Sequence, residues 1–472
     1  MFLIAITIGV SVGVYKYGVV FGILIIAAII GGPIVFSSLL NIRIGVYLTI
    51  TIAYIIGLLL MLLPDVKIGL VQDVLIFLMV VGLLYRSYES DNWDGFKTPI
   101  NSVVVLWIIY NLVEVANPIA SSRVAWFYVA RPAVAYILLF YVTYTMLETK
   151  NDIKGILNLL VGLTAFSALW GLIQFFNGYF PFEMNYVISH DAVHLVFISG
   201  RWRSFGTMAS PAQYGIMMAN LTVLIPLLVK GNGSRIRKLL YMLTAVLALL
   251  AMVYSGTRSA MVVIPIALMV LVLLAKNWRL YLMAVVVGMV FVGVMFMPTD
   301  NYHIRRLQTT FNGEKDESYM VRKRNREMIT PWIMAHPMGG GLGSTGVWGQ
   351  KFSPGTFLAS FPPDSGFIRV AVELGWIGFS FYLILWVSIL LKSVIAYLRV
   401  KDEELKSVTL AIICMFVGVF VVESAQDVVG KIPFNLLFWV FTAILFKAIK
   451  IDANAQSDTI GETEKHLAQA AQ

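Results

Sequence analysis

Leu239-Leu-Tyr-Met-Leu-Thr-Ala-Val-Leu-Ala-Leu-Leu-Ala-Met-Val-Tyr254 is followed by the polar reversal Ser255-Gly-Thr-Arg-Ser259 and then by Ala260-Met-Val-Val-Ile-Pro-Ile-Ala-Leu-Met-Val-Leu-Val-Leu-Leu-Ala275. Two apolar runs with so short a polar join read as a pair of helices that re-cross one hydrophobic layer. Apolar runs of about 20 residues recur along the chain, each long enough to span a ~30 Å hydrocarbon core as a helix. Strands of a membrane barrel would show about ten residues of alternating polarity, and no such pattern occurs. Composition agrees: of 472 residues, 59% are hydrophobic and 13% charged, where soluble domains average about 25% charged. Mean hydropathy is +0.82. The single cysteine, Cys414, lies in an apolar run, which excludes an intrachain disulfide and a cysteine metal cluster. The first residues lack the basic flank of a cleavable signal and are expected to continue into membrane sequence.

The expected class is an all-α polytopic membrane protein with about 14 transmembrane helices (12–14). From the C-terminus backward the spans are Pro433–Phe446, Val408–Val422, Gly366–Leu391, Leu280–Met297, Ala260–Ala275, Leu239–Tyr254, Tyr214–Val229, Gly155–Phe176, Trp126–Leu147, Ile100–Val115, Ile68–Tyr85, Val46–Leu63, Gly18–Leu40 and Phe2–Val14. Alternate connections hold the basic residues, among them Arg43, Arg86, Lys150, Lys154, Lys230, Arg235, Lys401 and Lys447. The positive-inside rule makes that set cytoplasmic, with both termini inside. This divides the chain into a helical bundle (1–298) with an outer loop near 177–210, a large extracytoplasmic loop (299–364), a C-terminal helical segment (365–450), and a disordered cytoplasmic tail (451–472).

The stretch Thr299–Asp364 carries eight Lys or Arg. Long loops are exempt from the charge rule, so its arginines call for an anionic ligand or a solvated surface. Two further polar patches fall on the same side: Gly200-Arg-Trp-Arg-Ser-Phe-Gly-Thr-Met-Ala-Ser-Pro211 and Tyr254-Ser-Gly-Thr-Arg-Ser-Ala260. Arg203 and Arg258 stand at span boundaries, where a guanidinium stays hydrated and can reach a phosphate with two N–H groups, or snorkel as an anchor. Asp364, after two prolines and ahead of an apolar run, has the chemistry of a helix N-cap. Glu373, about 2.5 turns into that run, is expected to face a cavity rather than lipid. Gly341-Leu-Gly-Ser-Thr-Gly346 fits G-x-G-x-x-G but lacks the preceding strand of a dinucleotide site. His190 and His194, beside Asp191, have a metal-binding spacing if helical, without a third ligand. Basic loops on the inner side follow from topology and imply no nucleic acid.

In these patches the chain resembles the O-antigen ligase and polymerase superfamily, lipid-linked glycan polymerases and ligases of the GT-C type. The resemblance rests on Arg203-Ser-Phe-Gly-Thr-Met-Ala-Ser-Pro, Ser255-Gly-Thr-Arg-Ser-Ala, His336-Pro-Met-Gly-Gly-Gly-Leu-Gly, Asp364-Ser-Gly and Glu373-Leu-Gly-Trp-Ile-Gly, in that order. It implies a GT-C-like fold in a bacterial inner membrane, with its site on the outer face. The donor would be a polyprenyl-pyrophosphate-linked oligosaccharide, the acceptor another lipid-linked unit, and a chain-length regulator a protein partner; no metal or other cofactor is implied. Ligases of this kind place a His-Asn pair near the end of the large loop. Here the corresponding stretch reads Pro-Pro-Asp-Ser-Gly, a departure that favours a polysaccharide polymerase. Arginines would stabilise the departing pyrophosphate, with Arg203 and Arg258 first and Arg305, Arg306, Arg322 and Arg326 behind them. Asp364 would take the acceptor's proton, supported by Glu373 and Arg369, in one displacement that inverts the anomeric centre. Alternatives are a ligase acting on a lipid or protein acceptor, a flippase or transporter for a lipid-linked sugar, and a membrane scaffold. A transporter should show repeat symmetry and charges at mid-membrane, and here the polar residues gather at one face.

Overall fold

A computed structural model describes residues 31–33, 35–64, 66–198, 200–230, 234–275, 278–299, 308 and 317–470. The regular structure in this range is helical apart from one two-stranded ribbon. The first half comprises α1 (Ile42–Leu62), α2 (Ile68–Glu89), α3 (Asn101–Val113), α4 (Arg123–Met146), α5 (Lys150–Asn177), α6 (Pro181–Ser189) and α7 (Val193–Val196). The ribbon β1 (Phe197–Ile198) and β2 (Arg201–Trp202) follows, antiparallel, with Ile198 opposite Arg201. Then come α8 (Pro211–Leu227), α9 (Arg235–Tyr254), α10 (Arg258–Ala275), α11 (Trp278–Phe296), α12 (Glu317–Ala335), α13 (Gly346–Phe352), α14 (Phe357–Ser360), α15 (Gly366–Arg399), α16 (Glu403–Glu423) and α17 (Phe434–Ala470).

Nine helices among the described residues are long and apolar enough to cross a membrane: α1, α2, α4, α5, α9, α10, α15, α16 and the Phe434–Ser457 part of α17. They coincide with nine of the fourteen expected spans, and the apolar helix α11 stands at a tenth, Leu280–Met297. Helices α3 and α8 lie where spans were expected, but they have 13 and 17 residues. Each runs on into a 3₁₀ turn, Glu114–Ala116 and Leu228–Lys230, so they cover about 26 and 32 Å, and only the first falls short of the ~30 Å core. The expected span Phe2–Val14 and most of Gly18–Leu40 lie outside the described residues; Gly31–Leu40 is a short apolar helix. The last helix runs on to Ala470, past the boundary at 451 where composition suggested disorder.

Local chemistry explains where the helices begin. Thr149 and Asp152 form a capping box at α5, each side chain accepting the other's backbone N–H. Asp402 caps α16 by accepting the Leu405 N–H, and Ser122 and Ser234 do the same for α4 and α9. Packing places α16 and α17 at the centre. In both, 78% of the most apolar window is buried, against 28% in α9. Helix α16 packs against α10, α8 and α15, and α17 against α4. Val263 of α10 touches the position a Cβ would take on Gly418 of α16, at 3.0 Å. From that crossing Arg258 lies five residues back in one helix and Glu423 five residues on in the other. Tyr397, just ahead of α16, donates to Leu274 O at the end of α10 at 3.2 Å, so the two helices run antiparallel and the start of α10 and the end of α16 share one end of the bundle.

The long helix α15 is broken at Gly375, whose φ of 69° and ψ of −177° are non-helical. The groups freed by the break are met by the segment after α12. Gly340 and Gly341 donate to the carbonyls of Val372 and Glu373, both at 2.9 Å, and Ile377 donates to Pro337 O at 3.2 Å. Tyr110 of α3 donates to Leu374 O at 2.7 Å. This is how irregular backbone is sustained inside an apolar bundle: its polar groups are satisfied by protein. Glycine is required on both sides of the contact. A Cβ at Gly375 would stand 2.0 Å from Pro337 O, and one at Gly339 would stand 2.4 Å from Gly375 N.

Candidate functional site

The described part of the basic stretch is organised by its chain neighbours. Helix α12 is polar on average, and its apolar residues Ile329 and Ile333 are buried against Leu358, Phe361, Ala371 and Val372. At its end His336 stacks on Trp332, centroids 4.1 Å apart, and its Nδ1 lies 2.7 Å from Trp332 O. The glycine block that follows is also held from the turn just past α3, Glu114–Ala116. Asn117 Nδ2 donates to Met338 O at 2.9 Å and to Gly339 O at 3.3 Å. The same nitrogen is 2.9 Å from Glu114 Oε2. The block is thus wedged between the end of α3 and the break in α15.

Asp364 sits half-buried just before α15. It is not the N-cap that its position suggested. Ser365 takes that role, its hydroxyl accepting the Ile368 N–H at 3.3 Å and donating to Glu423 O at 3.0 Å. Asp364 Oδ2 instead accepts from Asn325 Nδ2 of α12 at 3.0 Å. Arg322, one turn before Asn325, donates from Nη1 to Ala425 O beyond α16 at 3.1 Å. Arg326 is exposed on the same helix. Arg305 and Arg306 lie outside the described residues.

Arg369 and Glu373 belong to a buried charge cluster beneath Asp364. Arg369 Nε bonds Asp427 Oδ2 at 3.0 Å, and its Nη1 lies 3.5 Å from Glu373 Oε2. Glu373 Oε1 accepts from Thr345 Oγ1 at 2.6 Å, so this carboxylate ties the segment ahead of α13 to the helix. Glu423 Oε2 accepts the N–H groups of Val428 and Val429 at 3.0 and 3.1 Å. Gly430 has no room for a side chain: a Cβ would stand 2.4 Å from Asp427 Oδ1 and 2.5 Å from Arg369 Nη2. Below the cluster is a cavity of about 120 Å³ lined by Arg369, Asn111, Tyr382, Trp386, Asn435 and Trp439, among others. Glu423, Asp427, Asn325, Thr345 and Asn117 join the candidate site in the structure and were not singled out from the sequence. Asp427 and Arg369 are 58 positions apart, with a full helix between them. The visible signal was a pair of acids, Glu423 and Asp427, at the end of an apolar run.

The second group of predicted residues lies at the α9–α10 turn. Arg203 Nε donates to Ser255 O at 2.8 Å, Nη1 to Leu195 O at 2.9 Å, and Nη2 to Thr257 Oγ1 at 3.0 Å. Thr257 Oγ1 in turn donates to Pro211 O at 2.8 Å. Arg203 therefore joins the 195–203 segment to the turn from which α10 starts, and Arg258 is the first residue of that helix. Arg258 is half-buried. Beside Arg203, burial raises the Tyr179 phenol above its usual pKa, opposed by the charge of Arg203, and the phenol donates to Arg203 O at 2.6 Å. His190 and His194 do not share a helix: His190 follows α6, His194 lies in α7, and Asp191 between them has φ 49°. The helical spacing imagined for a metal pair is not formed. Among the described residues, no three His, Cys, Asp or Glu gather as a metal site.

Residues 243–383 match the family model described as O-antigen ligase. The matched stretch runs from α9 through the Gly375 break and includes Arg258, Arg322, Asn325, Asp364, Arg369 and Glu373. It bears out the resemblance read from the residues and supports, at family level, a membrane glycosyltransferase of the O-antigen ligase and polymerase type. No curated protein matches the chain.

Proposed function

We propose, from this similarity to O-antigen ligases over residues 243–383, that the protein polymerises a polysaccharide. It would transfer a polyprenyl-pyrophosphate-linked glycan onto a sugar hydroxyl of another lipid-linked repeat unit, at the outer face of a bacterial inner membrane. The observation that carries this reading is the bond from Asn325 to Asp364, 3.0 Å. It sets a carboxylate against a helix whose neighbouring turn bears Arg322 and Arg326, so a proton acceptor and anion-stabilising cations stand together.

The reaction is one displacement. The acceptor hydroxyl oxygen attacks the anomeric carbon as the bond to the pyrophosphate oxygen breaks, and the pyrophosphate leaves with that electron pair. Asp364 takes the hydroxyl proton. Asn325, donating to Oδ2, leaves Oδ1 to face the acceptor and fixes the carboxylate's orientation. Arg258, Arg322 and Arg326 offset the charge gathering on the leaving group, the work a divalent metal does in other transferases. Arg203 acts by holding the turn that presents Arg258. Arg369 and Glu373 keep the start of α15 and the loop through Thr345 in register beneath Asp364.

The test is reconstitution in liposomes with a lipid-pyrophosphate oligosaccharide, products being sized over time. A ladder of longer glycans without nucleotide is the expected result. Transfer of a single unit to a different acceptor would make the protein a ligase. Transbilayer movement of the substrate with no new glycosidic bond would overturn the enzymatic reading.

A further inference from the structure

At the other end of the bundle is a cavity of about 350 Å³ formed by the start of α1, the end of α2, the end of α4 and the middle of α17. Helix α17 begins beside the charge cluster and reaches Lys447 thirteen residues later, about 20 Å further along its axis. The cavity is therefore remote from Asp364. Four cations line it, Arg43, Arg86, Lys447 and Lys450, against two carboxylates, Asp94 and Glu148, a surplus of two positive charges.

Several of these groups are held in place. Lys447 Nζ stands 4.9 Å from the centre of the Tyr144 ring. Arg43 is paired with Asp152 at 3.1 Å and with Glu148 at 3.8 Å, and Arg86 bonds Leu40 O. Asp94 is bridged to Lys97 at 3.0 Å, so one of the two acids already has its own cation. Thr145 Oγ1, on the cavity wall, is buried without a hydrogen-bond partner among the described residues. Asn41 and Arg43 bring the start of α1 to the rim, where the positive end of its dipole favours an anion, the Arg43 N–H itself being capped by Asn41 Oδ1. Cations that merely anchor a helix at the membrane surface spread over it. Here they rim a concavity that also offers an unpaired hydroxyl. The wall continues into lipid-facing surface, since Leu40, Leu84 and Tyr85, chain neighbours of Asn41 and Arg86, are 71%, 42% and 65% exposed.

We infer that this cavity binds a phosphate group, that of an anionic phospholipid whose acyl chains lie along Leu40, Leu84 and Tyr85. The inference does not depend on the proposed reaction at the opposite end. The same phosphate chemistry would admit a soluble phosphate, and the experiment separates the two.

The full-length protein is purified in a zwitterionic detergent and its unfolding followed by tryptophan fluorescence during titration with phosphatidylglycerol, phosphatidylcholine or inorganic pyrophosphate. Phosphatidylglycerol should raise the unfolding temperature saturably and phosphatidylcholine should not. The double variant Lys447→Gln/Lys450→Gln, whose unfolding without lipid serves as the folding control, should need about tenfold more phosphatidylglycerol or worse. Because that variant can be weakened for other reasons, Arg86→Gln is measured in parallel, with native mass spectrometry counting retained phosphatidylglycerol molecules. Stabilisation by pyrophosphate alone, lost in Lys447→Gln/Lys450→Gln, would identify a soluble phosphate as the ligand of this cavity and overturn the lipid assignment. Equal response to the two phospholipids, or identical retention by wild type and both variants, would overturn the proposal.

Discussion

Asn325 Nδ2 donates to Asp364 Oδ2 at 3.0 Å across 39 positions of sequence. This bond fastens the arginine-bearing helix α12 to the approach of α15. Because Ser365 caps α15, the Asp364 carboxylate is spared a capping duty and can be changed without unravelling the helix.

Asp364→Asn should therefore leave the fold intact and remove proton acceptance. Turnover in the liposome assay should fall by about 10²–10⁴-fold, with thermal unfolding unchanged. Asn325→Ala should cost less, because the carboxylate survives and loses only its orientation. Equal activity in Asp364→Asn and wild type would remove the base from the mechanism.

The two arginines near the α9–α10 turn should separate. Arg203→Ala leaves Ser255 O, Leu195 O and Thr257 Oγ1 without the donors they have now. It should destabilise the protein by about 1.5–3 kcal/mol, the range for charged hydrogen bonds. Arg258→Ala should lose more turnover than its change in unfolding temperature accounts for. Arg258→Lys should recover only part of it, since an ammonium cannot form the bidentate contact. A thermal melt and an initial rate on each variant decide the matter.

Gly375→Ala should be disruptive out of proportion to one methyl group. Its φ of 69° disfavours any side chain, and the new Cβ would collide with Pro337 O at 2.0 Å. The strain alone is about 1–3 kcal/mol. Relief requires the Pro337–Gly341 segment to leave the break in α15, so limited proteolysis should cut near residue 340 faster than in wild type. Gly162→Ala, in a helix and with open space around its Cβ, is the matched control and should not change the cleavage pattern.

The buried cluster should respond asymmetrically. Arg369→Ala would strand the carboxylates of Asp427 and Glu373, which lie at 3.0 and 3.5 Å from its guanidinium. Removing one partner of a buried pair costs about 3–5 kcal/mol. Asp427→Asn, which keeps an oxygen for Arg369 and removes a charge from an acid-rich cluster, should cost far less. Unfolding midpoints in denaturant would show the order, and a reversal would mean that Asp427 carries the cluster.

Much of the fold is legible in the amino-acid order because the hydrocarbon layer imposes a length and a polarity on every span. That constraint acts residue by residue along the chain, so the runs Ala260–Ala275 and Val408–Val422 reappear as α10 and α16. The caps at Thr149 and Asp402 are local for the same reason. The number of full crossings was less legible, since hydropathy marks α3 as apolar without stating that it is short. The resemblance through Ser255-Gly-Thr-Arg and Glu373-Leu-Gly-Trp was readable too, and the match over residues 243–383 bears it out.

The sequence by itself determined a many-helix membrane protein whose polar residues collect at helix ends, together with the residue types available for handling a phosphate and a proton. Only the tertiary structure decided which of those residues act on one another. It gave the cap of α15 to Ser365 and a partner in α12 to Asp364, spent three Arg203 donors on the backbone and side chain of a turn, and paired Arg369 with Asp427. The physical reason is range. Burial in lipid and helix capping are settled within a few residues, whereas a side chain's hydrogen-bond partner depends on which helix lies beside it, and that is fixed only when the whole bundle packs.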